Sequence, residues 1–177
     1  MTTRETIIKA FAEWTAYSST RSGWPREVRK DRGTVYPLIR TPDYEKLLSM
    51  ENPSAEDFSI WHEANTKRIY AAEPNLPVGW AVKLINVYLK TTVYVAKRGP
   101  EVLLNFIHPP IDGGLWSGIK KEYGNDKDIF KKTHRVDRIK NITAIYMEII
   151  QGCQKIARRR GCTLFEVEAL WEGTNIE

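Results

Sequence analysis

The feature that most constrains this chain is the run 78–98, VGWAVKLINVYLKTTVYVAKR, which is apolar around most of a helical circumference. At about 100° per residue, Lys83, Asn86 and Lys90 fall within about 60° of one another, with Gly79 and Lys97 on the same side. The remaining surface carries Val78, Trp80, Val82, Leu84, Ile85, Val87, Tyr88 and Leu89. A helix of that kind sits in the middle of a protein and keeps one narrow polar stripe. It is not a membrane span, because two lysines and an asparagine at its centre would be costly there. Other helices must therefore wrap it.

The rest of the chain supplies them, and the fold class expected is all-α. No stretch alternates with period two, and no internal repeat is present. A length of 177 residues suits one compact helical domain over 1–177. Thr2 and Glu5 form a capping-box pattern ahead of TIIKAFAEW. Gly23, Pro25, Gly33 and Pro37 mark 17–40 as a long, basic, irregular loop. Thr41 with Pro42, and Asn52 with Pro53, read as N-cap and first helical residue of the next two helices. Gly99–Pro100 stops the central helix, and a short helix is expected from about Gly114 to Tyr123. A long amphipathic helix over 139–161 places Ile139, Ile142, Ile145, Tyr146, Ile149, Ile150, Cys153 and Ile156 on one face. Gly161 is its C-cap, and Thr163 with Glu166 opens a last short helix.

A formal charge of +5 biases the chain toward anionic partners. The basic residues cluster in 21–33, 131–140 and 155–161, while the tail from Phe165 is acidic. These segments are either solvated faces or phosphate contacts for a nucleic acid or nucleotide. The second reading assigns phosphate binding to Arg26, Arg29, Lys30, Arg32, Arg135 and Arg138. Cys153 and Cys162 lie nine positions apart without metal-ligand spacing, so neither a disulfide framework nor a metal site is expected. No cofactor motif is present: there is no P-loop and no dinucleotide fingerprint, and the G-x-S-x-G and H-E-x-x-H signatures are also missing. The N-terminus lacks a signal-peptide pattern, which points to a cytoplasmic, membrane-free protein. The oligomeric state is open.

The second informative stretch is NFIHPPIDGGLWSG, 105–118, where two prolines precede Asp112 and two glycines follow it. Its plain reading is a helix N-cap. The stripe on the central helix has a plain reading too, lysines snorkelling to solvent. Its functional reading puts Lys83, Asn86 and Lys90 on the wall of a cleft, where a desolvated lysine becomes a nucleophile or phosphate contact.

Taken together, NLPVGWAVKLINVYLK (75–90) and HPPIDGGLW (108–116) resemble the core of the helix-hairpin-helix DNA glycosylase superfamily. Members carry a hairpin of the type L-P-G-V-G-x-K-x-A that opens a long helix. A later V-P-V-D segment delivers the catalytic aspartate. This chain departs from the pattern at three places. No glycine follows Pro77, Ala81 fills the slot of the Schiff-base lysine with Lys83 two positions on, and Gly114 stands where a histidine is common. The segments are also similar to small bacterial and phage proteins with K-x-x-N-x-x-x-K and H-x-P-x-D patterns, a likeness that implies no function.

The resemblance implies a base glycosylase or lyase acting on an N-glycosidic bond. Asp112 would stabilise positive charge on the sugar or activate the nucleophile. Lys83 or Lys90 would be the amine of a Schiff base, and His108 would position a phosphate or shuttle a proton. Trp80 or Trp116 would stack on an extruded base, with Asn86 also toward the substrate. Asp112 and one lysine should then lie roughly 4–8 Å apart, flanking one reacting centre. The alternatives are a non-catalytic nucleic-acid or nucleotide-binding module on the same fold, and a structural or oligomerising helical protein.

Overall fold

The structure is a computed structural model and describes residues 2–20, 23–126, 129, 139 and 145–172. Among these every regular element is helical, and no strand occurs. The order is α1 (Thr3–Ser18), α2 (Arg32–Arg40), α3 (Tyr44–Leu48), α4 (Ala55–Ala72) and α5 (Val78–Leu89). A π-helical turn (Lys90–Val95) and a 3-10 turn (Glu101–Asn105) follow, then α6 (Gly113–Tyr123) and α7 (Met147–Arg160). A 3-10 helix (Phe165–Leu170) closes the described chain. No helix among the described residues is long and apolar enough to cross a membrane.

Two hydrophobic clusters make the core, and α5 serves both. Leu84, Ile85 and Leu89 join Ala12, Ala16, Ile39, Leu47, Phe58 and Ile69 of α1–α4. Val82, on the other side of α5, joins Leu115 and Ile119 of α6, Ile149, Ile150, Cys153 and Ile156 of α7, and Val167 and Leu170. This is why α5 is apolar nearly all round: it has neighbours on both sides. Its first turn is tied down by the Gly79 N–H donating to the Ile139 carbonyl at 2.9 Å.

Several helix ends differ from the sequence reading. The stretch expected to be irregular is helical at both ends, because α1 runs to Ser18 and α2 starts at Arg32. Pro37 lies inside α2, where a proline costs about 3 kcal/mol. Burial of Val35, Leu38 and Ile39 offsets that cost, and the Asp31 carboxylate caps the helix by accepting the Thr34 N–H at 2.8 Å. Thr41 closes α2 instead of opening α3, whose cap is Asp43. The cap of α4 is Ser54, not Asn52, since Ser54 and Asp57 satisfy each other's backbone N–H groups. The capping box of Thr2 and Glu5 and the left-handed Gly161 C-cap are as expected. The long final helix is described only over Met147–Arg160; Ile142 lies outside the described residues.

The central helix does not run as one α-helix to Arg98. After Leu89 it widens into the π turn, with the Ala96 N–H reaching back to the Thr91 carbonyl at 3.0 Å. Thr91 is held from both sides: its hydroxyl lies 3.3 Å from the Val87 carbonyl and 2.8 Å from the Thr15 hydroxyl of α1. The exit bends through Lys97 and Gly99, both at positive φ. At Gly99 any Cβ would sit 2.9 Å from the Leu48 side chain, so the position suits only glycine.

Candidate functional site

The polar stripe of α5 lies along the seam between the two core clusters. Lys83 and Asn86 are buried and Lys90 is half-buried. Each finds a different set of partners, and the three together lead to two distinct polar assemblies.

The first is an ion-pair cluster at the N-terminus of α6. Asp112 caps α6, its Oδ1 accepting the Leu115 N–H at 3.1 Å. The same oxygen accepts the indole N–H of Trp171 at 3.0 Å. This leaves Oδ2 to face Lys83, whose Nζ is 3.4 Å away. The Lys83 ammonium also donates to the Ser19 carbonyl, just past the end of α1, at 3.2 Å, and stands 5.1 Å over the Trp80 ring. The pair is only partly withdrawn from water, with side chains 9% and 24% exposed for Lys83 and Asp112. At the far end of the stripe, Lys90 Nζ bonds Glu168 Oε1 at 2.6 Å. Burial pushes the Glu168 carboxyl above its ordinary pKa; Lys90 opposes that rise, and the negative charge of Asp112 adds to it.

Local packing explains how Asp112 is held. Gly114 and Gly118 leave room for the last segment to lie against α6. A Cβ at 114 would meet the Trp171 indole nitrogen at 2.3 Å, and one at 118 would meet the Leu170 carbonyl oxygen at 1.6 Å. The Glu172 N–H then donates to the Gly114 carbonyl at 3.2 Å. Gly114 is thus what lets Trp171 reach Asp112.

The second assembly is fully interior. The Pro109 carbonyl can only accept, so the Asn86 amide must point its NH2 there, at 3.3 Å. The same nitrogen donates to the Tyr146 hydroxyl at 2.9 Å. Tyr146 must then donate to His108 Nδ1 at 2.8 Å, which places the His108 proton on Nε2. Asn86 Oδ1 accepts from His62 Nε2 at 2.9 Å. Every link is buried, and burial sets the charge state. The His62 pKa is pushed down to about 4 by desolvation, against a smaller upward pull from Asn86. His108 lies well below the usual histidine range, through desolvation and the neighbouring His62. Desolvation drives the Tyr146 phenol upward. At neutral pH the assembly carries no charge, and it bolts α4, α5, the 107–111 loop and the start of α7 together.

The residues singled out from sequence therefore divide. Lys83 and Asp112 come together, closer than the spacing expected for groups that flank a sugar, and Lys90 stands beside them through Glu168. His108 and Asn86 belong to the interior assembly. Trp80 and Trp116 are core side chains. The Trp80 indole packs edge-on to Trp24 at 5.2 Å and donates to the Gly23 carbonyl at 3.1 Å. Arg26, Arg29, Lys30 and Arg32 are exposed, Arg29 pairing with Asp31 at 3.0 Å. Arg135 and Arg138 lie outside the described residues. Sequence reasoning missed Glu168, Trp171, His62 and the polar role of Tyr146. A signal for Glu168 existed: lysines on a buried helix need carboxylates, and the C-terminal segment is the acidic one.

One surface cavity runs along 120–126 and another lies beside Arg40, Tyr44 and Tyr88, both away from Lys83 and Asp112. Among the described residues no group of three or more His, Cys, Asp or Glu side chains is arranged to hold a metal. Compared with known proteins, the chain matches no family model, no curated protein and no solved structure.

Proposed function

We propose that this protein acts on an N-glycosidic bond of a nucleic acid or nucleotide, in the manner of a base glycosylase with lyase chemistry, with Lys83 as amine and Asp112 as carboxylate. The observation that carries this reading is the Lys83–Asp112 contact of 3.4 Å, partly open to solvent at the start of α6. A buried amine and a fixed carboxylate are the two groups the reaction needs, and a sugar that enters between them must part them from 3.4 Å to about 4–8 Å. The Lys83 ammonium gives a proton to water, and the freed lone pair attacks the sugar C1′. The C1′–N bond breaks, its electron pair leaves with the base, and the base takes up a proton. The C1′–O4′ bond then breaks, O4′ takes up a proton that the attached nitrogen gives up, and a protonated imine is left between C1′ and Nζ. The negative charge of Asp112 favours the cationic sugar in between. The helix-hairpin-helix resemblance of 75–116 supports the assignment of Asp112, while the lysine stands two positions beyond the slot it has in that superfamily.

One observation favours a second reading, the non-catalytic binding module. Lys83 is already engaged by Ser19, Asp112 and Trp80. Borohydride trapping separates the two. Wild-type protein incubated with an oligonucleotide bearing an abasic deoxyribose should form a covalent adduct on reduction, and K83M should form none. D112N is the cleaner probe of the carboxylate. Asparagine Oδ1 retains both the Leu115 and Trp171 bonds, while its NH2 replaces the oxygen that faces Lys83. The variant should fold and bind normally but lose turnover. Absence of a wild-type adduct, or an equal adduct with K83M, refutes the catalytic reading.

A further inference from the structure

The indoles that sequence reasoning offered as stacking surfaces are buried, yet the molecule carries aromatic faces elsewhere. Ile7, Phe11 and Trp14 on α1 are 63%, 51% and 49% exposed. Their spacing puts them on one side of the helix, with Arg4 and Ser18 at the two ends of the same stripe. The Phe11 and Trp14 rings stack on each other at 5.6 Å with planes 22° apart. No carboxylate lies on this stripe: Glu13 is buried against Arg40, and Glu5 is bound in the N-terminal capping box.

We infer that this stripe is a platform for the bases of a single-stranded nucleic acid. The inference rests on the proposed function for the class of partner. Three observations select this occupant. Trp14 is five residues before Ser19, about 7.5 Å along the helix axis and about 140° round it, so the stripe ends on the flank of α1 next to the end that bonds Lys83. The loop that leaves α1 at this end carries Arg26, Arg29, Lys30 and Arg32 on its exposed surface, suited to the phosphates. The patch is also too small to hold a second copy of the chain. Half-exposed side chains of this size offer roughly 300 Å² in all, against about 800 Å² per partner in a stable interface. Flat rings stack on any base, so such a platform binds without sequence preference.

The test uses the full chain and a fluorescein-labelled oligodeoxythymidine, read by fluorescence anisotropy. F11A/W14A replaces two exposed side chains with a good helix former. It should weaken binding about 5- to 100-fold, the range for losing a stacked base. F11L/W14L keeps apolar area without rings and should weaken binding by a similar factor. An oligomer of the same length lacking bases should bind wild type as weakly as oligodeoxythymidine binds F11A/W14A. The inference is overturned if either double variant binds like wild type, or if wild type holds the baseless oligomer equally well. It is also overturned if F11A/W14A dissociates a dimer in sedimentation with affinity unchanged, the result for a second copy. Failure here is separable from failure of the catalytic reading. Borohydride trapping that survives in a variant with unchanged affinity removes only the platform; ring-dependent binding without trapping removes only the Schiff base.

Discussion

The buried histidine pair makes acid sensitivity a quantitative consequence of the fold. In the unfolded chain a histidine titrates near 6.5, whereas burial holds folded His62 at about 4. A histidine with a depressed folded pKa stabilises the protein above the unfolded value and loses that contribution as pH falls toward the folded one. At 1.36 kcal/mol per unit of pKa difference, lowering the pH from 7 to 5 should remove roughly 2 kcal/mol through His62 alone. His108, also depressed, acts in the same direction. Glu168 acts oppositely, because its raised pKa makes protonation easier in the folded state than in the unfolded. The perturbation is H62Q, which keeps an amide donor for Asn86 but cannot titrate. Urea unfolding at both pH values, followed by circular dichroism, gives the stabilities. Wild type should lose roughly 2 kcal/mol more than H62Q between pH 7 and pH 5, with Glu168 present in both and so cancelling. Equal losses in the two proteins would refute the assignment of His62 as a buried neutral group.

Other consequences are simpler to check. G118A should destabilise the fold by at least about 1–3 kcal/mol, because its methyl meets the Leu170 carbonyl, while G113A should be tolerated, having nothing within 4 Å of its Cβ; thermal unfolding compares them. Cys153 is buried with its thiol pushed up to about 12 by desolvation, so a thiol reagent should label half-buried Cys162 first and Cys153 only on unfolding. Oligonucleotide affinity should fall with salt, and R26Q/K30Q should flatten the logarithmic slope by roughly 0.7 for each phosphate that is no longer neutralised. A salt-independent affinity would count against phosphate binding by the 23–32 loop.

The helical class and the central, two-sided burial of α5 were legible in the sequence, because apolar periodicity reports burial directly. Several caps were legible for the same local reason: Thr2 with Glu5, Asp112 and Gly161 each act on backbone groups within three or four residues. Helix ends that local signals misassigned, as at Pro37 and Thr41, were decided by burial of Val35, Leu38 and Ile39 against distant helices. The stripe of Lys83, Asn86 and Lys90 was visible as a pattern, but its periodicity carries no information about what lies opposite. Only the packing of two clusters around α5 turned Asn86 inward to His62 and Tyr146, and turned Lys83 to Asp112. The same packing brought Glu168 and Trp171 to these groups across more than fifty residues of chain. Such contacts depend on loop closure and steric fit at glycines 114 and 118, quantities that no local sequence rule encodes.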